Sequence, residues 1–405
     1  MTADKRTALG CIAIAFLLAS VCAWSQDAPK ALPKDAVIPF DLVNNKILVQ
    51  AFVGKTGPLW FIVDSGDKYA MVDIETAKSA GVEFGEDMPM HGGGSGAPAR
   101  MVSSGSFRIV GLDNFTQPLF AAMPLAQLGR GIGHSIDGII GYNFLSQFVT
   151  EIDYQKKQLI LHDKGSFQYR GKGESLPIQV NQFGHFSIPA KVKLDASRIR
   201  DVSLIVDLGH PGALTLHTSF VNHERLLEAQ AKTIAWLGAH GAGGEKLGGR
   251  VGRIPEVDLG SFKVNDPVIT FAQVEDGPLA STQTQGTLGA DILKRFRLFL
   301  DYGHQRLILE PTSELAEPFE YDMSGLHLME SDHTGFEVDE ISDHSAAEDA
   351  GIRAGDILVA IDGKPAKDLT LGEVKEMFRQ EKQYVVTVER GQTRKDVQLK
   401  LRRLI

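Results

Sequence analysis

Two aspartates, one in each half of the chain, follow apolar runs and precede a glycine by two positions. The first is Asp64 in Phe-Ile-Val-Asp-Ser-Gly, and the second is Asp207 in Leu-Ile-Val-Asp-Leu-Gly. An apolar strand that leads into such a turn places the carboxylate at the strand tip, where the glycine lets the backbone approach closely. One copy carries little weight, because Asp-Ser-Gly is common in structural turns. Two copies in corresponding places indicate carboxylates that act together.

A pair of neighbouring carboxyls can carry out acid–base chemistry on water. Because two adjacent carboxyls cannot both ionise at low cost, they share a proton. One can then act as a general base on a water molecule while the other donates to a substrate carbonyl. This chemistry needs neither a metal ion nor a nucleophilic side chain.

The two aspartate motifs belong to an internal repeat. Residues 137–154 and 285–302 align without a gap, and each copy contains Gly-x-x-Gly and ends in Asp-Tyr. Each half also has a glycine-rich stretch between the aspartate motif and this element, around Gly92–Gly96 and Gly241–Gly244. The order of parts is the same in both halves. The chain is therefore predicted to contain a duplicated lobe, whose pseudo-twofold symmetry would bring the two aspartates together.

Each lobe is predicted to be mainly β structure. Val37–Val53 and Leu59–Val63 are rich in Val, Ile and Phe, and Asn44-Asn45 and Gly57-Pro58 interrupt them as hairpin connections do. One short helix per lobe is expected after the second glycine of the repeat. The expected positions of these helices are near Asn143–Gln147 and Asp291–Arg295.

The predicted lobes cover residues 36–165 and 174–311, and a polar, proline-containing linker over Pro311–Glu320 follows them. The Asp-Tyr pairs at Asp153 and Asp301 could be mistaken for catalytic residues. We interpret them as turn residues at strand ends.

Composition excludes several classes of function. Lys plus Arg number 42 and Asp plus Glu number 51, which gives a net charge of −9, and no basic run stands out. Nucleic acid is therefore not an expected partner. The 12 histidines show no close ligand spacing, so neither a metal site nor a cofactor is expected. Both cysteines lie in the first 25 residues.

The N-terminus has the features of a secretory signal. Lys5 and Arg6 precede an apolar run over Ala8–Ala19, and small residues follow, which predicts a signal peptide over residues 1–25. Its cleavage would leave no cysteine, and so no disulfide or thiol nucleophile. We expect an exported protein, periplasmic or secreted, without a membrane span after cleavage. An uncleaved N-terminal anchor is the alternative.

The first aspartate motif, the glycine-rich stretch and the Gly-x-x-Gly element together resemble the retropepsin-type aspartic peptidases. Two such lobes in one chain with a C-terminal extension are similar to exported bacterial aspartyl proteases that carry a PDZ domain. The resemblance implies duplicated retropepsin- or pepsin-like β lobes with Asp64 and Asp207 as the catalytic dyad. It also implies that Ser65 braces the first catalytic loop and that Gly66 and Gly209 permit the turns.

The same resemblance assigns roles to the repeated element. Ile139-Ile140-Gly141 and Thr287-Leu288-Gly289 would pack beneath the catalytic loops. The glycine-rich stretches would form flaps over a bound peptide. The expected substrate is accordingly a peptide or a protein.

The chain departs from this family at three positions. The family has Asp-Thr-Gly or Asp-Ser-Gly, whereas the second motif contains Leu208, which has no hydroxyl to brace the two loops. Asp67 and His210 follow the two glycines, where a small residue is typical. Asp67 could raise the pKa of the dyad, bind the substrate backbone or form an ion pair with His210. Alternatively, both residues are solvated loop residues.

Two classes of function therefore stay open. The chain is either an active peptidase or a peptide-binding scaffold that has lost turnover, since a fold alone does not establish activity. Assembly into a dimer whose partner lobes complete the site is a third arrangement.

Residues 322–402 resemble the PDZ domains of exported bacterial proteases, and the Ala-Gly-Ile-x-x-Gly-Asp run that ends at Asp356 is the most specific part of that resemblance. A small α+β domain is therefore predicted to follow the lobes. Its loop would bind a terminal carboxylate through backbone N–H groups, and the following strand would pair with an extended C-terminal peptide. The helix over Leu371–Phe378 would help to line the pocket. Alternatively, the domain only packs against the lobes. The predicted carboxylate-binding loop consists of Gly325, Leu326, His327 and Leu328.

Overall fold

A computed structural model describes residues 35–405, except for residues 91–96, 113, 230–231, 239–245 and 332–334. The predicted signal peptide and both predicted flaps, Gly92–Gly96 and Gly241–Gly244, lie outside the described residues. No helix in the described part of the chain is long and apolar enough to cross a membrane.

The first half of the chain contains thirteen strands and three short helices in its described residues. The strands are β1 (Ala36–Pro39), β2 (Asp41–Val43), β3 (Lys46–Val53), β4 (Thr56–Val63), β5 (Met71–Asp73), β6 (Glu83–Met90), β7 (Ala97–Ser104), β8 (Ser106–Ile109), β9 (Gln117–Pro118), β10 (Ala121–Met123), β11 (Gly138–Ile140), β12 (Phe148–Asp153) and β13 (Gln158–Asp163). The helices are α1 (Ile74–Ser79), α2 (Ala126–Ile132) and α3 (Tyr142–Leu145).

The second half follows the same plan. Its strands are β14 (Glu174–Pro177), β15 (Gln179–Val180), β16 (Phe186–Lys193), β17 (Ile199–Val206), β18 (Leu214–Leu216), β19 (Ile234–Ala235), β20 (Gly249–Arg253), β21 (Glu256–Leu259), β22 (Phe262–Asn265), β23 (Val268–Ala272), β24 (Gly286–Leu288), β25 (Phe296–Asp301) and β26 (Arg306–Pro311). Its helices are α4 (Thr218–His223), α5 (Leu226–Ala229) and α6 (Ala290–Leu293), and 3₁₀ turns cover Pro278–Ala280 and Ser313–Ala316.

The C-terminal domain is a smaller α+β unit. It consists of β27 (Leu326–Glu330), β28 (Phe336–Ile341), α7 (Ala346–Asp349), β29 (Ile357–Ile361), β30 (Lys364–Pro365), a 3₁₀ turn over Ala366–Asp368, α8 (Leu371–Met377), β31 (Gln383–Arg390) and β32 (Thr393–Lys400). Its sheet has the order β27-β28-β29-β31-β32, with β30 paired to β29. Strand β27 lies at the edge of this sheet.

The two lobes have sheets of identical topology. The first is ordered β6-β7-β10-β5-β11-β4-β3-β8-β9, and the second is ordered β19-β20-β23-β18-β24-β17-β16-β21-β22. Strands β2 and β15 pair with β3 and β16 in the same way. Every strand of one sheet thus has a counterpart in the other. The predicted mainly β fold with duplicated lobes is confirmed.

A third sheet joins the lobes. Its order, β1-β13-β12-β25-β26-β14, is symmetric about the antiparallel pair β12 and β25, in which Ile152 lies opposite Leu298. These two strands end at Asp153 and Asp301, the aspartates of the Asp-Tyr pairs of the repeat. Asp153 accepts a hydrogen bond from the Lys156 amide and Asp301 accepts one from the His304 amide, so both aspartates hold turns, as predicted.

The buried side chains of the described residues form one apolar core that runs through both lobes, a smaller cluster within the first lobe and a separate core in the C-terminal domain. In the central sheet, Ile152 and Leu298 are fully buried. The charged side chain of Glu151 is also buried there, and it accepts a hydrogen bond from Arg297 of the other lobe at 2.7 Å. The seam between the lobes is therefore a continuous part of the protein interior.

The hairpin predictions were half right. Asn44 and Asn45 have φ angles of 49° and 61° and connect β2 to β3, as the short turn between twisted strands requires. Gly57-Pro58 does not form a turn, because it lies inside β4, and Gly54 and Lys55 make the connection instead. The proline is tolerated there because this end of the strand is exposed.

The short helix predicted after each Gly-x-x-Gly element is present as α3 and α6. Each follows directly after the second glycine, Gly141 or Gly289, which forms its N-cap.

Truncation of Ile152 tests the importance of the sheet that joins the lobes. Ile152→Ala should lower the free energy of unfolding by about 2–5 kcal/mol, because the side chain is fully buried at the seam. Val37→Ala is the matched control, since Val37 lies in the same sheet and is 48% exposed. Urea unfolding followed by the fluorescence of Trp60 and Trp236 reports on the lobes. Equal losses in both variants would contradict the prediction.

Candidate active site

The two aspartates stand at equivalent strand ends. Asp64 follows β4, which pairs in parallel with β11, and Asp207 follows β17, which pairs in parallel with β24. The Asp64 amide donates to the Ile140 carbonyl at 2.9 Å, and the Asp207 amide donates to the Leu288 carbonyl at 3.0 Å. The Gly-x-x-Gly element of each lobe therefore fixes the backbone of the aspartate in that lobe.

The second glycine of each element lies directly under the catalytic loop. A Cβ atom on Gly141 would lie 2.9 Å from the carbonyl carbon of Asp67, and one on Gly289 would lie 2.7 Å from the His210 carbonyl oxygen. The amide of the next residue donates to that same carbonyl at 2.8 Å in both lobes. Glycine is required here because the loop backbone approaches too closely for any side chain.

The carboxyls of Asp64 and Asp207 are in hydrogen-bond contact with each other. Each is also held by its own loop, because the amides of Gly66 and Gly209 donate to Asp64 and Asp207 respectively at 2.8 Å. The pair is complete within one chain, so a second copy is not needed to assemble it.

The glycines of the two motifs also let the two lobes approach each other closely. A Cβ on Gly66 would lie 2.7 Å from the carboxyl carbon of Asp207, and a Cβ on Gly209 would overlap the carboxyl of Asp64. Each glycine thus packs against the carboxyl of the opposite lobe. Any larger residue would push the two carboxyls apart.

The electrostatics of the site favour incomplete ionisation. Burial, followed by the negative charge of Asp64, raises the pKa of Asp207 well above its usual range. Burial and the charges of both dyad members raise the pKa of Asp67 in the same way. A site with these properties retains a proton that an isolated aspartate would lose, as acid–base chemistry by a carboxyl pair requires.

The brace between the two loops comes from one side only. The buried hydroxyl of Ser65 donates to the Val206 carbonyl at 2.9 Å and accepts from the Leu208 amide at 3.0 Å. Leu208 is fully buried in the apolar core and returns no such bond. One serine therefore supplies two hydrogen bonds across the seam, while its counterpart contributes packing.

Asp67 and His210 do not form an ion pair. The His210 imidazole is instead hydrogen-bonded to the Thr215 hydroxyl at 3.0 Å, and burial lowers its pKa to about 4. Both side chains are partly buried, so they are not freely solvated loop residues. Asp67 keeps the position next to the dyad that would allow it to tune the pKa of the pair.

Two basic residues near the dyad were missed by the sequence analysis. Lys46 is buried at the start of β3, and its ammonium donates to the Gly209 carbonyl. His185 precedes β16 and is hydrogen-bonded to the backbone of Gly66. A lysine at the head of an apolar strand was the available signal, but only the fold shows that it reaches the opposite lobe. In the described part of the chain, no group of three or more histidine, aspartate or glutamate side chains could hold a metal ion.

The predicted carboxylate-binding loop of the C-terminal domain is already engaged by the chain itself. The carboxylate of Asp322 accepts from the amides of Ser324 at 2.9 Å and Gly325 at 2.7 Å. The Leu326 amide donates to the Ser324 hydroxyl at 3.0 Å. Leu326 and Leu328 belong to the core of the domain. The first amides of the loop are thus paired within the domain.

His327, the remaining residue of this loop, faces the second lobe. Its imidazole lies 3.1 Å from the Asp339 carboxylate, and Gly238 of the second lobe packs so closely against it that a Cβ there would overlap the ring. The Gly238 amide also donates to Glu340 at 2.8 Å.

Helix α2 of the first lobe lies in the groove between β27 and α8. Gly133, which ends α2, packs against Leu371, since a Cβ on it would lie 2.7 Å from the Leu371 Cβ. The Lys375 ammonium donates to the Gly131 carbonyl at 3.1 Å. On the other wall, Arg130 donates to the Glu330 carbonyl at 2.8 Å. Arg130 of α2 is therefore bonded to a backbone carbonyl of the edge strand that a bound peptide strand would need as a hydrogen-bond acceptor.

The contact between α2 and the C-terminal domain also includes an ion pair. The Arg130 guanidinium lies 2.6 Å from the Glu337 carboxylate on β28. Met329 is only 4% exposed although it is not part of the domain core, and the Gln127 amide lies 3.8 Å from its sulfur. The first lobe thus occupies the groove and contacts both of its walls, β27 and α8.

Comparison with known proteins finds family matches for most of the first lobe and for much of the C-terminal domain. Residues 49–144, which include the first aspartate motif, match the family described as aspartyl protease, and residues 337–390 match the family described as PDZ domain. No curated protein sequence matches the chain. Among solved structures, an aspartic proteinase from Irpex lacteus aligns at 13% identity with a TM-score of 0.44, covering 70% of this chain and 99% of its own. The predicted aspartyl protease and PDZ domains are confirmed.

Removal of the Ser65 hydroxyl tests the one-sided brace. Ser65→Ala leaves the Val206 carbonyl and the Leu208 amide without their partner in a buried seam, which should lower the free energy of unfolding by about 1–3 kcal/mol. Ser65→Thr keeps the hydroxyl and should cost less. Urea unfolding of the three proteins provides the measurement, and equal stabilities of the Ala and Thr variants would rule the brace out.

The contribution of Lys375, which joins the PDZ domain to α2, to the free energy of unfolding should depend on pH. Burial lowers the pKa of Lys375 from 10.5 to about 8, so between these values the folded chain binds fewer protons than the unfolded chain. The free energy of unfolding should therefore rise with pH across this window, relative to Lys375→Met, which lacks the titrating group. Urea unfolding at pH 7.5 and 9.5 measures the difference. Lys367→Met, at an exposed lysine of the same domain, should follow the unaltered chain.

Proposed function

We propose that this chain, which carries an aspartyl protease domain and a PDZ domain, is an endopeptidase that hydrolyses peptide bonds. The observation that supports it most directly is the contact between the carboxyls of Asp64 and Asp207, one from each lobe. The equivalent strand ends, the glycine packed against each carboxyl and the raised pKa of Asp207 give this pair the properties that dyad chemistry requires.

In the proposed reaction, the two carboxyls share one proton and act jointly on a water molecule. The ionised carboxyl takes a proton from the water as the water oxygen attacks the peptide carbonyl carbon. The protonated carboxyl donates its proton to the oxygen of that peptide carbonyl. A proton then passes to the leaving nitrogen as the C–N bond breaks. The two ionisations belong to the pair, so we assign apparent pKa values to the dyad rather than to either residue.

The alternative, a peptide-binding scaffold without turnover, draws its support from Leu208. The brace made by Ser65 weakens that argument, because both of its hydrogen bonds cross the seam even though the second motif lacks a hydroxyl. A retropepsin-like subtype is also part of this proposal and rests on the motifs of the first lobe. The match of residues 49–144 supports the broader class, an aspartyl protease.

We assign to the PDZ domain a regulatory role rather than capture of peptide termini in its docked form. Helix α2 occupies the groove, and the Asp322 carboxylate accepts the loop amides that a terminal carboxylate would use. A peptide would have to displace these contacts. We also propose that the N-terminal signal directs export to the periplasm or the medium, either after cleavage or as an anchor.

Cleavage of an unstructured polypeptide across acid to neutral pH tests the peptidase proposal. Asp64→Asn and Asp207→Asn should each lower the rate at least about 10²-fold, because each removes one partner of the acid–base pair. Asp153→Asn is the matched control, since Asp153 holds a turn away from the dyad. Binding of the polypeptide without cleavage by the unaltered chain would favour the scaffold.

Release of α2 tests the regulatory role. A chain with Arg130→Ala and Lys375→Met loses contacts on both walls of the groove and should bind a degenerate peptide mixture with free C-termini more tightly than the unaltered chain. The same mixture with amidated C-termini and the variant Arg402→Ala, at an exposed arginine of the PDZ domain, are the controls. Fluorescence polarisation of the labelled mixture measures binding. Equal binding by the released and the unaltered chain would contradict this role.

A further inference from the structure

Lys46 is a buried lysine that forms no direct ion pair with a carboxylate in the described part of the chain. Its side chain is 7% exposed, and its ammonium donates to the Gly209 carbonyl of the opposite lobe. Burial of an ammonium is costly unless hydrogen bonds or nearby negative charges compensate for it. Burial lowers the pKa of Lys46, and the negative charges of Asp64, Asp207 and Asp67 oppose this shift.

His185 is the counterpart of Lys46 in the second lobe. Leu48 lies opposite Ile62 in the first lobe as Ser187 lies opposite Ile205 in the second, so Lys46 and His185 each stand two residues before equivalent positions. His185 is hydrogen-bonded to the backbone of Gly66, the counterpart of Gly209. The first hairpin of each lobe thus extends a basic side chain to the glycine of the aspartate motif in the other lobe.

Both hairpins are fastened to the lobe that they reach. The side-chain Nδ2 of Asn45 donates to the Pro211 carbonyl at 2.8 Å, and Lys294 donates to the side-chain Oδ1 of Asn45 at 3.0 Å. In the other direction, Lys68 donates to the Gln182 carbonyl at 2.9 Å. These hydrogen bonds hold the backbone of each hairpin in place, and this fixes the positions from which Lys46 and His185 extend.

The two side chains differ in charge. Burial lowers the pKa of His185 below its usual range, and His210, from the second catalytic loop, has a pKa of about 4, so both imidazoles are neutral at neutral pH. Asp67 faces the dyad from the first loop, and Asp291 of α6 faces His210. Among these described side chains, Lys46 thus supplies the positive charge that faces the carboxyl pair.

We propose that Lys46 and His185 are paired positioning residues for the catalytic loops, and that the Lys46 ammonium favours the singly ionised state of the carboxyl pair. The proposal rests on the proposed peptidase function. Because Gly209 packs against the carboxyl of Asp64, the charge of Lys46 lies on the Asp64 side of the dyad. The pseudo-symmetric frame therefore carries an asymmetric charge.

Titration of the carboxyls tests the charge without requiring turnover. In protein labelled with ¹³C at the aspartate carboxyls, Lys46→Met and Lys46→Gln should both move the lower titration step of the dyad up by about 1 pH unit, since a nearby cation is lost. Two variants are used because Gln keeps an N–H group for the Gly209 carbonyl. Lys191→Met, at an exposed lysine of the second lobe, should titrate as the unaltered chain. A lower step that stays in place in both Lys46 variants overturns the role of the charge.

Kinetics test the positioning role. His185→Phe removes the hydrogen bond to Gly66 and should lower kcat about 10²-fold with little change in KM, whereas His185→Gln should restore part of kcat. Equal loss in both variants, or a change in KM alone, contradicts positioning. If the unaltered chain cleaves nothing, the peptidase function fails while the titration still decides the role of Lys46. If it cleaves and the titration step does not move, the role of Lys46 fails alone.

Discussion

The contact between two half-buried carboxyls at the seam of the lobes constrains the rest of the structure. Like charges at this distance repel, and burial adds to the cost, so the surrounding chain must hold them together. It does so with glycine on each side, with strand pairs that fix both aspartate amides, and with a sheet that crosses from one lobe to the other. These features form a symmetric frame around the carboxyl pair.

Within this frame, equivalent positions have diverged. Ser65 has a hydroxyl that bonds across the seam, whereas Leu208 fills apolar space. Lys46 has an ammonium group where its counterpart His185 has an imidazole, and burial lowers the pKa of both. The duplicated backbone keeps the geometry of the pair, and the side chains around it make the two carboxyls chemically unequal.

Much of this was predictable from the sequence because the repeat carries it. Two matching Asp-x-Gly motifs and two matching Gly-x-x-Gly elements predict two lobes, and symmetry then brings Asp64 and Asp207 together. Lys46 was not predictable, since a lysine at the start of a strand is usually solvated and only the crossing of the hairpins buries it. The occupied groove was missed for a similar reason, because nothing in the sequence of α2 indicates which surface it packs against. Gly57-Pro58 was misassigned because an exposed strand end accepts a proline that a central strand would exclude.

Among the contacts of the PDZ domain with the lobes, the ion pairs of one strand, β28, reach both. On β28, Glu337 pairs with Arg130 of the first lobe and Glu340 pairs with Lys246 of the second. Movement of the lobes away from each other, as a bulky folded substrate would demand, must stretch or break one of these two links. Because both ion pairs are partly solvated, salt screens and weakens them, so a higher ionic strength would remove part of the resistance to such a movement.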